Sequence, residues 1–183
     1  MTLLVRDEED ILKENIDFHL SQGVDFIIAT DNCSIDSTRR ILKEYEARGK
    51  LFYIYEERDN YNQHEWVTRM ARIAFSNYGA NWVINNDADE FWWPKIGTLR
   101  EVFLSLPPSI NVINAARKNL IFIDNKDDKK SFYKKMIYKD LFSLNPIGKA
   151  LSSKVAHKGN AEVIVKQGNH KIEGIGSQNS VED

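Results

Sequence analysis

A chain of 183 residues can bury one substantial core but is too short for two ordinary domains, so a single domain over residues 1–173 with an irregular tail over 174–183 is expected. Its 42% hydrophobic and 28% charged residues match a soluble globular protein, and no apolar run reaches the length of a membrane span or a secretory signal. A formal net charge of −2 speaks against a general nucleic-acid binder, and the single cysteine, Cys33, rules out an internal disulfide and a cysteine metal cage; the expected setting is cytoplasmic, compatible with peripheral membrane attachment.

Thr2–Val5 is a short apolar run that predicts a first strand, followed from Arg6 by a helix with Ile11, Leu12, Ile16 and Leu20 on one face and Gly23 at its end. Asp25–Thr30 predicts a second strand leading into a polar turn, Asp31 to Thr38, with Asp36 as N-cap of a helix that buries Ile41, Leu42 and Tyr45 and ends before Gly49. Leu51–Tyr55 predicts a third strand. Gln63 to Asn77 predicts a helix, with Val67, Met70, Ala71, Ala74 and Phe75 at three-to-four spacing and Gly79 beyond it.

Trp82-Val83-Ile84 then reads as a fourth, buried strand. This alternation predicts an α/β fold with a mostly parallel central sheet and helices on both faces, because parallel neighbours need crossover connections. Thr98 and Glu101 form a capping box for a short helix that stops at Pro107-Pro108. Ile110–Ala116 and Leu120–Ile123 predict strands, and Asn125–Lys130 a polar loop; Lys126, Lys129, Lys130, Lys134 and Lys135 make one local basic segment, read as a solvated face. Lys154–His157 and Glu162–Val165 predict a small C-terminal hairpin across Lys158–Ala161, followed by Gly168-Asn169-His170.

The chemistry concentrates where the fourth strand ends, in Asp87-Ala88-Asp89-Glu90 ahead of Phe91, Trp92 and Trp93. In extended backbone, Asp87 and Asp89 point the same way about 6.6 Å apart, a spacing that lets them share one hard cation while leaving positions open for a diphosphate. An Asp-x-Asp pair alone is also an ordinary acidic loop. Ligands of parallel sheets bind beyond the carboxyl ends of the strands, where Asp31 falls as well. Asp31 suits ribose hydroxyls, or else bonds its own turn.

The order Val5-Arg6-Asp7-Glu8, Asp31-Asn32-x-Ser34-x-Asp36-Ser37-Thr38, Trp82 to Phe91 and Gly168-Asn169-His170 resembles the family-2-like glycosyltransferases of the GT-A fold, over roughly residues 3–172. The resemblance implies sugar transfer from a nucleoside diphosphate sugar, with a UDP-sugar favoured, to a glycan or lipid-linked acceptor, as in cell-surface polysaccharide synthesis, with Mn²⁺ or Mg²⁺ on the diphosphate. It implies nucleotide-sugar contacts from Val5, Arg6, Glu8, Asp31, Asn32, Ser34, Asp87 and Ala88, and metal ligation by Asp89 with Asp87 and His170. His64 and Trp92–Trp93 are open to sugar contact or to ordinary packing; His19 and His157 read as structural.

The first strand is shorter than the family pattern, and relatives carry further elements after the position where this chain stops, so a C-terminal truncation is expected. No catalytic base stands out among Asp124, Asp127 and Asp140. A sugar nucleotidyltransferase would place a glycine-rich loop after the first strand, and a haloacid-dehalogenase-like phosphatase would place its aspartates there; neither pattern is present. A nucleotide-sugar-binding domain without catalysis is the remaining alternative.

Overall fold

A computed structural model describes residues 1–60, 62–121, 136, 138–175 and 180–182. Four segments of the first half pair as expected: β1 (Thr2–Val5), β2 (Ile27–Asn32), β3 (Leu51–Glu56) and β4 (Trp82–Asp87), in the parallel order β4-β1-β2-β3. Helices α1 (Leu12–Ser21), α2 (Thr38–Ala47) and α3 (Gln63–Ser76) connect them. Gly23 and Gly49, at φ 90° and 67°, take the left-handed turns that end α1 and α2 and that a side chain would strain.

Alternation along β2 divides the core. Ile27 and Ala29 face one side, where they meet Leu12 and Ile16 of α1 and Leu42 and Tyr45 of α2. Ile28 faces the other, with Val67, Met70, Ala71 and Ala74 of α3. Helix α4 (Leu99–Ser105) begins at the expected capping box: Thr98 Oγ1 accepts from Glu101 N at 3.3 Å and Thr98 N donates to Glu101 Oε2 at 2.7 Å.

The second half departs from the sequence reading. The sheet continues through β5 (Val112–Ala115) and β8 (Lys154–Lys158), with β8 antiparallel between β4 and β5. Lys154–His157 therefore do not pair with Glu162–Val165. Lys154, Val155, Ala156 and His157 are all buried, as a central strand requires, whereas a two-stranded hairpin would leave one face in water. The small hairpin instead joins β9 (Ile164–Val165) to β10 (Ile172–Glu173) across a 3-10 turn at Gln167–Asn169.

A second small antiparallel pair, β6 (Leu120–Ile121) with β7 (Tyr138–Lys139), projects beyond β5. Where an irregular tail is expected, β11 (Ser180–Glu182) pairs in parallel with β5. Asp124, Asp127 and the basic segment Lys126–Lys135 lie outside the described residues. No helix among the described residues is long and apolar enough to cross a membrane.

Candidate active site

From β1 the chain crosses to β2 on one side and later to β4 on the other, which makes the carboxyl ends of these strands a switch point. A cavity of about 400 Å³ opens there. Val5, Arg6 and Glu8 after β1, Asn32 of β2, and Asp87, Ala88 and Asp89 at the end of β4 line it, with Asp59, Asn60, Gln63 and Trp66 closing its far wall. Burial first, and then the carboxylates of Asp89, Asp10, Asp36 and Asp87, push the Glu8 carboxyl up to about 7, so the cavity is a field of concentrated negative charge.

The acidic segment is not extended. β4 runs on to Asp87, and Glu90 N donates to Asp87 O at 3.1 Å, which turns the chain at Ala88-Asp89 and removes the strand alternation expected to align the two aspartates. Asp87 is half-buried, and its carboxylate accepts from Asn169 Nδ2 at 2.9 Å, from Gln63 Nε2 at 3.4 Å and from Lys154 Nζ at short range. Lys154 is itself buried, and its Nζ lies 3.1 Å from Glu90 Oε2, while Arg117 Nη1 donates to Glu90 Oε1 at 3.3 Å. Burial is the main force raising the Glu90 pKa, opposed by these two cations. Asp89 is exposed and has no hydrogen-bond or ion-pair partner among the described residues.

Polar groups inside the core fix this turn. Asn15, wholly buried on α1, donates to Ala88 O at 2.8 Å and to Glu90 O at 2.7 Å, and its Oδ1 accepts from Asn86 Nδ2 at 3.2 Å. His19, one turn further along α1, meets Asn15 O through Nδ1 at 2.8 Å and Trp92 N through Nε2 at 3.2 Å. A carbonyl can only accept and a backbone N–H only donate, so Nδ1 carries the proton and Nε2 the lone pair.

A neutral ring is needed for that arrangement, and burial holds the His19 pKa down to about 4; the same cause holds His157, on β8, down to about 4. Because both folded values lie below the ordinary 6.5, the unfolded chain takes up protons first as pH falls. The share of stability that these two rings carry is expected to be fully present above pH 6.5 and to decline between 6.5 and 4, by up to about 1.4 kcal/mol per pH unit for each ring. The Glu8 carboxyl, raised to about 7, works in the opposite sense and favours the folded chain as pH falls from 7 to 4.5. Urea midpoints of the Glu8→Gln chain across this window isolate the rings; a midpoint constant from about pH 7 to pH 5 in that chain would contradict their contribution.

In the motif from Asp31 to Thr38 the second of the two readings of Asp31 holds: its carboxylate bonds the backbone that follows it. β3 extends far enough to pair Asp31 with Tyr55 and Asn32 with Glu56, so both lie inside β2 and not in a turn. Asp31 is wholly buried and accepts from Ser34 N and Tyr53 OH, each at 3.0 Å, with Arg39 Nε at 3.6 Å. The loop after it is stitched to the loop after β1 by reciprocal bonds. Asp7 N donates to Ser34 Oγ at 3.0 Å, Glu8 N to Thr38 Oγ1 at 2.8 Å and Glu9 N to Asp36 Oδ2 at 3.0 Å, while Ile35 N donates to Asp7 Oδ1 at 2.7 Å. Asp36 also accepts from Thr38 N at 2.8 Å, although the residue in the N-cap position is Ser37.

Of the expected site residues, Val5, Arg6, Glu8, Asn32, Asp87, Ala88 and Asp89 meet in one cavity, whereas Asp31, Ser34 and His170 do not line it. Arg6 Nη1 is 2.5 Å from Asp59 Oδ1 across the mouth, and Asn32 Nδ2 donates to Arg58 O at 2.8 Å. In Gly168-Asn169-His170 it is the middle residue that reaches Asp87. His170 Nδ1 meets Ser153 O at 2.9 Å, which leaves Nε2 as an acceptor, and burial lowers its pKa. Asp140 does not line the cavity and uses its carboxylate to accept from Phe142 N at 3.2 Å and Ser143 N at 3.0 Å. His64 is exposed, Trp92 is a core residue, and Trp93 is exposed with its ring stacked on Phe18.

A mostly parallel sheet whose switch point opens on an acidic strand-end cavity is an α/β layout that binds its ligand beyond the strand ends. The chain belongs to glycosyltransferase family 92, whose description matches residues 1–175. Among solved structures, S. aureus TarS 1–349 is similar in fold, with a TM-score of 0.51 at 13% identity over 86% of this chain and 46% of TarS. The TarS 1–349 complex with UDP superposes at a TM-score of 0.46, also at 13% identity and with the same coverage. The chain thus spans under half the length of the structures it matches. No curated protein matches.

Proposed function

We propose that this domain binds a nucleoside diphosphate sugar, with a uridine nucleotide the favoured donor, and transfers the sugar to a glycan or lipid-linked acceptor. The observation that carries the reading is Asp89: an exposed carboxylate, without a hydrogen-bond or ion-pair partner among the described residues, on the wall of a strand-end cavity that Glu8 and Asp87 also line. Among the described residues no three His, Cys, Asp or Glu side chains form a ready-made metal cage. Mg²⁺ in nucleotide sites is ordinarily held by one or two carboxylates and completed by water and substrate phosphates, and Mn²⁺ shares its preference for oxygen ligands. Asp89 fits as the direct ligand. Asp87 fits less well as one, because three donors occupy its oxygens, and its role is to set the turn that carries Asp89.

When bound, such a cation stabilises the negative charge that grows on the departing nucleoside diphosphate. The chain's own residues define the rest. Val5, Asn32 and Ala88 shape the wall, Arg6 places a guanidinium at the mouth, and Lys154 with Arg117 balances the carboxylates behind the turn. Asp89→Asn keeps the shape and removes the charge. Calorimetry of UDP binding with Mn²⁺ is expected to show at least a tenfold weaker affinity for this variant, about 1.4 kcal/mol, and little change without metal. Equal affinities in Mn²⁺ would overturn the assignment of Asp89.

A further inference from the structure

Residues 138–150, from β7 to the turn before β8, present large apolar side chains where turns ordinarily carry polar ones. Leu141, Phe142 and Ile147 are 87%, 74% and 75% exposed. The turns that carry them are well built. Asp140 caps the first through Phe142 N and Ser143 N, and Asn145 Oδ1 caps the second, accepting from Ile147 N at 3.1 Å and Lys149 N at 2.8 Å. A bridge between Leu144 and Ala150 closes the second turn. Two hydrogen-bonded turns that hold hydrophobic residues at their tips favour a partner that removes those tips from water.

The charges around the tips select the partner. Lys118, Lys139 and Lys149 are exposed and make no ion pair among the described residues, whereas the nearby Asp140 carboxylate is taken up by backbone N–H groups. Among the described residues beside the tips, the free charge is therefore cationic. We infer that this arm docks on an anionic lipid surface, with Leu141, Phe142 and Ile147 entering the headgroup layer and the three lysines meeting lipid phosphates. Separate protruding tips suit a deformable bilayer, whereas a protein partner needs a continuous complementary face. Arg117 joins the arm to the acidic turn through Glu90 and through Ser152 O at 2.8 Å, so docking would hold the cavity near the membrane. The inference does not depend on the donor reading.

Co-sedimentation with vesicles tests it. The protein is expected to pellet with phosphatidylcholine–phosphatidylglycerol vesicles, to remain largely in solution with phosphatidylcholine alone, and to be released by added salt. Phe142→Asp with Ile147→Asp, and separately Lys118→Glu with Lys139→Glu and Lys149→Glu, should each lower partitioning about tenfold or more, with unchanged circular dichroism and unchanged UDP affinity. No binding of the parent chain to the mixed vesicles, or binding that survives both sets of changes, would overturn the proposal. So would a self-association in sedimentation velocity that Phe142→Asp with Ile147→Asp abolishes, because the apolar tips would then be a contact between copies of the chain.

Discussion

Lys154→Met is expected to lower folding stability by about 3 kcal/mol and to weaken donor binding. The substitution keeps most of the apolar stem and removes the ammonium, whose side chain is only 4% exposed and which serves Asp87 and Glu90 together. Loss of one partner from a buried ion pair costs about 3–5 kcal/mol, because the remaining charge is left desolvated. The low end applies, since the Asp87 side chain keeps 29% of its surface in water and Arg117 still holds Glu90. Urea unfolding gives the first number and UDP calorimetry the second. Adding Glu90→Gln to the Lys154→Met chain should recover part of the lost stability. A loss below about 1 kcal/mol in the single variant would show that the lysine is not the counter-charge for this turn.

Asn15→Leu is expected to cost a similar amount, about 3 kcal/mol, by a different route. Leucine fits the buried space but donates nothing, so the Ala88 carbonyl loses its side-chain donor, the Glu90 carbonyl keeps only the Asn86 amide, and Asn86 loses one acceptor. Each buried group left unsatisfied costs about 1–3 kcal/mol. For a chain of this size, that total corresponds to a fall in melting temperature of about 6–12 °C. The turn at Ala88-Asp89 should loosen as well, so amide exchange at Glu90 should speed up more than exchange along β3. A melting temperature within about 2 °C of the parent, with protection at Glu90 unchanged, would remove Asn15 from the account of the site.

The first half of the fold was readable because its elements are local. Each strand from β1 to β3 is followed by a helix whose apolar residues recur at three-to-four spacing, and Gly23, Gly49 and Gly79 stand beyond the ends. The second half was not, because the place of β8 is decided by its neighbours. Val155 and Ala156 are buried from both faces, and four residues carry too little pattern to separate a central strand from one arm of a hairpin. The cavity shows the same division. Its carboxylates announced themselves through composition at a strand end, whereas Lys154 and Gln63 gave no local signal, and Gly168-Asn169-His170 stood out as a motif but pointed to its last residue and not to the middle one that reaches Asp87. A lysine beside a short apolar run reads as a solvated end, and only the insertion of β8 beside β4 turns it inward. Asp31 was open to two readings, a ligand contact or a bond to its own turn, and the added length of β3 decides for the second by burying it against Tyr53 and Ser34.

The insertion of β8 also sets a timetable for the chain as it leaves the ribosome. β1, β2 and β3 with α1 and α2 pair close in sequence and can assemble once about a third of the chain has emerged. β4 cannot gain its second neighbour until β8 is made, and Lys154 reaches Asp87 across 67 residues. Until then the sheet has a bare edge at β4, and the acidic turn has Arg117 within reach but not its lysine. A nascent chain paused before residue 154 would thus hold the acidic turn with only half of the positive charge that faces it, and Asn169, which also steadies Asp87, is made later still.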